Sequence, residues 1–266
     1  MAASHLTYQG YKFSKASVTK VADALVVEQA LQIDINGESF TVVMQTPGAE
    51  NELVRGLLYG EDIFSKNTQA NFEYFKSKQG YIERINVVCD KNELGKGYLN
   101  KRSLLSVSSC GICGKQELTD LLPHEKAVKF HDRISYHTLK NLQKIMFETQ
   151  VIYHETGGTH GAAAFDMNGN CLSAFEDIGR HNALDKVVGR LLTDQTLDQA
   201  KILSFSVRVS YEIVSKCFRA KIPVIIAVSA PSSLAVDFAK EYGMTLIAFS
   251  RGENMTCYAN PERLEQ

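Results

Sequence analysis

The chain has 266 residues, 44% of them hydrophobic, and a net charge of −1 from 29 basic and 30 acidic side chains. At this length a folded chain buries about 70–75% of its unfolded surface, enough for one large or two medium domains, which argues against disorder. The basic residues are scattered, which excludes the electrostatic footprint of a duplex nucleic-acid binder or of a protein held to an anionic membrane.

The first residues, Met1-Ala2-Ala3-Ser4-His5-Leu6-Thr7, lack a basic segment followed by an apolar core, and no run approaches about 18 apolar residues, so no membrane span and a cytoplasmic location are expected. Residues 26–35 alternate moderately, Asn36-Gly37 follows, and residues 39–44 resume the alternation, which predicts a hairpin closed by a type I′ turn. Residues 50–59 place Leu53, Leu57 and Leu58 at i, i+4 and i+5 behind acidic residues, predicting a short helix over that sheet. Strands are expected over 71–76, 81–89 and 104–107, and a helix over 116–122. From Ser135 the period becomes helical, with Leu139, Leu142, Ile145 and Met146 in step, which places a domain boundary near residue 132. A second hairpin, over 162–167 and 171–175, is nucleated by Asn168-Gly169-Asn170. Asn182 is then expected to cap a helix with Leu184, Val187, Val188, Leu191 and Leu192 on one face. The last stretch reads as strand 202–206, helix 211–220, strand 223–229, helix 233–242 and strand 244–250, with Gly243 just past the second helix. Strands joined by helices must run parallel with right-handed crossovers. The expected fold class is therefore α/β, α+β overall, with a smaller β-rich N-terminal domain over 1–131 and an α/β domain over 132–266.

Covalent chemistry points to Ser108-Ser109-Cys110-Gly111-Ile112-Cys113-Gly114-Lys115, two thiols at C-x-x-C spacing with a cation after them. A neighbouring Lys and a helix N-terminus lower a thiol pKa and supply the thiolate that reacts. Four readings stay open: half of a zinc site, which needs two more ligands such as His124 and His131; a thioredoxin-like dithiol; a persulfide carrier, in which a thiolate takes and hands on an outer sulfur; and a turn with two inert thiols. Cys89, Cys171 and Cys217 sit in apolar patterns and are expected in the core.

Parallel strands bring their carboxyl ends to one edge, where open α/β sheets bind ligands. Arg208 and Ser210, then Ser229-Ala230-Pro231-Ser232-Ser233, then Ser250-Arg251-Gly252-Glu253-Asn254 fall there. Two arginines and two helix N-termini suit a phosphate or diphosphate, so this edge is a nucleotide-site candidate. Thr156-Gly157-Gly158-Thr159-His160 offers consecutive N–H groups for an anion nest. His160, and His181 within Glu176-Asp177-Ile178-Gly179-Arg180-His181-Asn182, are candidate acid–base groups. The element order is also similar to that of cytidine-deaminase-like folds. Zinc deaminases need H-x-E and a later P-C-x-x-C, but no His here has Glu two residues on and Ser109 precedes Cys110, so deaminase chemistry is not supported.

The blocks 108–114, 156–160, Glu176-Asp177-Ile178-Gly179-Arg180-His181-Asn182-Ala183-Leu184-Asp185-Lys186 and Ser229-Ala230-Pro231-Ser232-Ser233 resemble the FdhD family, sulfur carriers required for formate dehydrogenase activity, over about residues 26–261. The resemblance implies a sulfurtransferase in which Cys110 takes persulfide sulfur from a cysteine desulfurase and passes it to the bis(molybdopterin guanine dinucleotide) molybdenum cofactor before insertion into formate dehydrogenase. Cys113 is then the second family cysteine, a resolving or relay thiol. The resemblance further implies a cytoplasmic homodimer, a cytidine-deaminase-like three-layer C-terminal domain, and no resident metal. It places the cofactor's nucleotide, or a GDP-like molecule, at Phe249, Ser250, Arg251, Gly252, Glu253 and Asn254, with Arg208, Ser229, Ser232, Gly158, His160, Arg180 and His181 around it. The family commonly has Ser-Gly-Arg where this chain has Ser206-Val207-Arg208. The alternative is a zinc-stabilised cofactor chaperone without sulfur transfer.

Overall fold

The computed structural model describes residues 3–99 and 126–265. The chain opens with a hairpin that the sequence pattern did not signal: β1 (His5–Phe13) pairs along its whole length with β2 (Val18–Val26), and most of its side chains on both faces are exposed. Alternation marks a strand only when one face is buried, so this ribbon leaves no period in the sequence.

β3 (Gln29–Ile35) and β4 (Glu38–Gln45) form the expected hairpin, with Asn36 at φ 51° and Gly37 at φ 81° as a type I′ turn requires. β5 (Asn71–Lys76) and β6 (Ile82–Val88) complete a sheet in the order β4-β3-β6-β5, with β3 and β6 parallel. α1 (Glu50–Gly60) lies on it, packing Leu53, Val54 and Leu58 with Leu31, Ile33, Ile85 and Val87. A short helix, α2 (Lys96–Leu99), ends this part. The strand expected at 104–107 and the helix at 116–122 lie outside the described residues.

β7 (Ile134–Ser135) leads into α3 (Tyr136–Thr149), whose N-cap Ser135 accepts from the Thr138 N–H at 3.1 Å. α4 (Val151–Thr156) follows, then β8 (His160–Phe165) and β9 (Cys171–Asp177). The turn between these strands is not of the I′ kind. Only Gly169 has positive φ, Asp166 accepts from Gly169, and the Asp166 carboxylate takes the N–H groups of Asn168 and Asn170. The aspartate side chain, not an Asn-Gly pair, organises it.

α5 (Arg180–Thr193), β10 (Ile202–Phe205), α6 (Tyr211–Arg219), β11 (Val224–Ala227), α7 (Ser233–Glu241) and β12 (Thr245–Arg251) run as expected, and β13 (Asn254–Ala259) turns back on β12. A last short strand, β14 (Leu264–Glu265), pairs with β7. The large sheet has the order β13-β12-β11-β10-β8-β9, with β10, β11 and β12 parallel. One face carries α3, through Leu139, Leu142 and Met146 against Ile202, Val224 and Ile247. The other carries α5, α6 and α7, through Leu184, Val187, Ile213 and Phe238 against Leu203, Phe205 and Ile225. This gives three layers, α/β overall. Both faces are covered, so the strands read as continuous apolar runs.

Two expectations need correcting. Gly179, not Asn182, is the N-cap of α5; Asn182 lies one turn inside and donates to the Met44 carbonyl (2.7 Å) and to Asp177 Oδ1 (2.9 Å). Cys217 is fully buried and half-buried Cys89 packs against the core of the N-terminal sheet, as expected, but Cys171 is exposed.

α1 and α5 cross backbone against backbone. A Cβ on Gly56 would stand 1.9 Å from the Asp185 carbonyl oxygen, and one on Gly189 1.8 Å from that of Glu52. Only glycine on each helix permits this approach, and it sets the N-terminal helix directly on the C-terminal one.

Candidate functional site

β8 is antiparallel to β10 and to β9, so β9 runs in the same direction as β10, β11 and β12. All four end at one edge, and β8 begins there. α5, α6 and α7 therefore all start at this edge, one more helix N-terminus than the sequence reading counted.

Hydrogen bonds join its loops. The Val209 N–H donates to Ala230 O (3.0 Å) and the Ser232 N–H to Val209 O (2.9 Å), linking the segments after β10 and β11. Phe249 N–H donates to Ser229 O (3.3 Å) and Arg251 Nε to Val228 O (3.0 Å), adding β12. Across β10, Gly161 N–H donates to Ser206 Oγ (2.9 Å), which brings in the start of β8 beside His160.

The edge is cationic. Arg208 and Arg251 are exposed and Arg180 half-buried, and among the described residues none of the three pairs with a carboxylate. His160 stands opposite Asp177 in the ladder; partial burial of its ring and the Arg180 charge lower its pKa, against the pull of Asp177. Ser232 Oγ accepts from the Ala235 N–H and caps α7. Ser210 Oγ, at the start of α6, is buried with no hydrogen-bond partner among the described residues. Phe249 holds φ 50° at an irregularity in β12 and keeps 42% of its surface exposed. A bulky residue in the left-handed region costs about 1–2 kcal/mol, and such strain gathers at functional sites. Ser250 is buried, whereas Gly252, Glu253 and Asn254 form the exposed tip between β12 and β13, where Glu253 takes Lys140 as ion partner. Val207 is buried in the core, so its side chain fills space that a glycine would leave open.

The anion nest at 156–160 is not formed. Thr156 closes α4, Gly157 caps it with its N–H on Tyr153 O (2.7 Å), and the Gly158 N–H is taken by Thr156 Oγ1 (3.1 Å). Gly158 still matters for packing, since a Cβ there would meet Val26 at 2.8 Å. Cys110 and Cys113 lie outside the described residues, and so does His124.

Four groups escaped the sequence reading. Glu212 and Lys216 sit on the buried face of α6, with Asp185 on α5 and Glu61 just past α1. Lys216 Nζ donates to both Asp185 oxygens (3.0 and 2.8 Å) and stands 3.7 Å from Glu61. His181 Nε2 is 3.2 Å from Glu212 Oε2, an ion-pair contact bent away from hydrogen-bond alignment. Burial pushes Asp185 up to about 6, and Glu61 and Asp177 push the same way against Lys216. Burial alone would lower Lys216, but Asp185, Glu61 and Glu212 outweigh it and raise it. Both shifts share a sign because burial raises Asp185, while at Lys216 three surrounding carboxyl groups outweigh burial. The available signal was Glu212 and Lys216 at i, i+4 among the apolar residues of a short helix.

A separate cavity of about 320 Å³ opens at the opposite edge of the sheet, between Phe64, Lys66, Leu197 and Lys221. Its Lys66 and Arg219 are paired with Asp198 and Asp62.

Residues 26–265 match the model of the FdhD/NarQ family. The chain belongs to the FdhD/NarQ family. FdhD relatives cover nearly all of it: a sulfur carrier protein FdhD of Sulfolobus acidocaldarius is 35% identical, over 94% of this chain and 98% of its own. The FdhD of Mycolicibacterium paratuberculosis is 38% identical over 91% of this chain and 92% of its own. A crystal structure of a protein assigned as a formate dehydrogenase accessory protein, from Desulfotalea psychrophila, superposes with a TM-score of 0.77 at 23% identity, covering 99% of this chain and all of that one. That likeness concerns the FdhD-type fold. Among the described residues no helix is long and apolar enough to cross a membrane.

Proposed function

We propose that this chain is a sulfur carrier in the maturation of formate dehydrogenase, working in the cytoplasm as a homodimer with its functional division near residue 132. The Cys110 thiolate attacks the outer sulfur of a cysteine desulfurase persulfide; the S–S bond there breaks, the desulfurase thiolate leaves, and Cys110 becomes a persulfide. Its substrate on the receiving side is the bis(molybdopterin guanine dinucleotide) molybdenum cofactor: with Cys113 as resolving thiol, its thiolate attacks the inner sulfur of the Cys110 persulfide, the S–S bond breaks, a Cys110–Cys113 disulfide forms and the outer sulfur leaves as hydrosulfide for the cofactor; as a relay thiol, Cys113 instead takes the outer sulfur and frees the Cys110 thiolate.

The observation that carries this reading is the strand-end edge of a chain related to sulfur carriers: three arginines without acidic partners among the described residues, three helix N-termini and an exposed aromatic ring at a strained position. Diphosphate fits that donor set, with Arg180, Arg208 and Arg251 as cations and Ser210 Oγ, which has no partner among the described residues, as a further polar contact. Phe249 and Ser229 flank the place where a base would lie, near Ser250, Gly252, Glu253 and Asn254, with Ser232, Gly158, His160 and His181 on the other side of the edge.

Two measurements test it. After incubation with a cysteine desulfurase and cysteine, intact mass should show one reducible added sulfur on wild type and Cys113→Ala but none on Cys110→Ala; no added sulfur on any form, with stoichiometric zinc present, would replace this reading by a zinc-stabilised chaperone. Calorimetry with GDP should show Arg251→Ala weakened about tenfold, the loss of one charge-assisted contact of about 1.5 kcal/mol. Unchanged affinity would remove the nucleotide from this edge.

A further inference from the structure

Six large apolar side chains that stay exposed among the described residues belong to the first hairpin: Leu6, Tyr8, Tyr11, Phe13, Val18 and Leu25, each 44–77% exposed. Strand register divides them into two patches. Leu6 stands opposite Leu25, with Tyr8 on the same face, near the base; Phe13 stands opposite Val18, with Tyr11, on the other face near the tip. The base is anchored, since the Val27 N–H donates to Ser4 O (2.8 Å), His5 Nδ1 stands 2.9 Å from Glu155 Oε2, and Val26 lies against Gly158. Residues 11–20, the outer half, are all exposed. A free two-stranded ribbon is marginally stable in water. Six side chains of this size and exposure present about 600 Å² of apolar surface, at the upper end of what a monomer leaves to solvent in one patch and the kind of surface that marks a protein contact.

Charge and shape narrow down what covers it. The ribbon carries Lys12, Lys15 and Lys20 against Asp23, whereas residues 27–90, which follow it directly, carry ten acidic side chains against five basic. Those residues build the sheet β4-β3-β6-β5. α1 covers the face of this sheet that carries Ile33, Ile85 and Val87; the alternate residues face away, and there Val42, Met44, Phe75 and Val88 are 37–46% exposed. This open face is apolar at its centre and belongs to the acidic part of the chain, the complement of a basic, aromatic ribbon. A nine-residue ribbon reaches about 30 Å and four paired strands span about 15 Å, so one arm crosses the whole face. The ribbon does not cover the sheet of its own copy, because both surfaces remain exposed.

We propose that the β1–β2 hairpin is the arm of an exchanged dimer and that its occupant is a second copy of this chain. At a two-fold axis the base patch, Leu6, Tyr8 and Leu25, meets its own equivalent, and the tip patch, Tyr11, Phe13 and Val18, lies on the open sheet face of the partner subunit. Such a contact is self-complementary and closes at two copies. Both arms and the two sheet areas under their tips bury about 1,900 Å², the size of a standard stable interface. The inference rests on the dimer in the reading above and gives it a surface; it needs nothing from the sulfur chemistry or the nucleotide edge.

The test is analytical ultracentrifugation of the full chain at micromolar concentrations, for wild type, the double variant Tyr11→Ser/Phe13→Ser and the counter-face variant Val42→Lys. Wild type should sediment at twice the chain mass. The double variant, altered only at exposed positions, should keep its circular dichroism spectrum and raise the dimer Kd about 100-fold or more, as the loss of two aromatic anchors does. Val42→Lys, which sets a cation against the arm lysines, should raise it about tenfold. A monomeric wild type overturns the proposal, removes the dimer from the functional reading and leaves the ribbon to a different protein; sulfur loading of Cys110, followed by mass on the same sample, shows whether the sulfur carrier survives. A double variant that dimerises as tightly as wild type takes the arm out of the interface and leaves the dimer standing. A dimer unmoved by Val42→Lys overturns the sheet face as the arm's seat. If the double variant does not fold, Lys12→Glu/Lys20→Glu decides for the arm: a Kd raised about tenfold at low salt supports it, and an unchanged Kd overturns it.

Discussion

Asp177 is fully buried and accepts four hydrogen bonds or ion contacts: from Thr46 N–H (3.0 Å) and Lys186 Nζ (2.7 Å) on one oxygen, and from Gly179 N–H (2.8 Å) and Asn182 Nδ2 (2.9 Å) on the other. Lys186, 2% exposed, also donates to Thr46 O at 2.8 Å. This one carboxylate ties the end of β4 to the turn that starts α5, and so fixes where Arg180 and His181 emerge. Its geometry explains why Asp, Asn and Lys stand at fixed offsets in a segment that reads, from sequence, as a charged loop. Removing one partner strands a buried charge, whereas removing both leaves a neutral contact. Lys186→Met should therefore cost about 3–5 kcal/mol, and adding Asp177→Asn should return part of that loss. Urea denaturation of the single and double variants measures it; a double variant as weak as the sum of the singles would show that the two charges do not depend on each other.

At the scale of elements, the crossing of α1 and α5 decides how the N-terminal part meets the α/β part. Gly189→Ala puts a methyl group 1.8 Å from a backbone carbonyl, which no rotamer change relieves. Alanine favours a helix over glycine by about 1 kcal/mol, but forcing the helices apart costs about 1–3 kcal/mol in a packed interface and more when backbone must move. The net effect should be a loss of about 1–2 kcal/mol, seen as a lower thermal midpoint; an unchanged or higher midpoint would mean that the helices separate freely. From sequence, Gly56 and Gly189 look only like weak points in helices, because the backbone that they admit comes from far along the chain. The same limit governs the rest of the fold. Local signals were sufficient for the hairpin at Asn36-Gly37, for α1, and for the alternation from β10 to β12. They failed for β1 and β2, which bury neither face, and for α4, which is six residues long and ends in glycines that look like a loop. The cationic edge was legible from strand polarity, but the third helix N-terminus was not, since it depends on β8 and β9 pairing beyond β10.

For the molecule as a whole, the proton balance of folding follows from the buried cluster between α1, α5 and α6. Asp185 is raised from 3.8 to about 6 and Glu212 from 4.5 to about 7, in both cases by burial first. A carboxyl with a raised folded pKa binds more proton folded than unfolded between its two values, so its stabilising contribution is complete below the unfolded value and is lost as pH rises through the folded one. On the acid side the surface carboxyls Asp166 and Asp198, lowered despite burial by hydrogen bonds from Asn170 and Lys66, work in the opposite sense. Stability should thus peak at about pH 4, where the acid-side gain ends and this loss begins, decline to about pH 7 and level off above it. The two buried carboxyls share one cluster and do not add independently; together they account for about 2–4 kcal/mol over that window. Thermal midpoints of wild type should fall from pH 4 through 5 and 6 to 7 and change little from 7 to 8, and Glu212→Gln should reduce the slope throughout, most completely between pH 6 and 7, where Asp185 no longer contributes. A midpoint independent of pH from 5 to 8 would mean that the cluster opens to water, and that the charge Lys216 shares with its three carboxyl neighbours is solvated instead of held inside the fold.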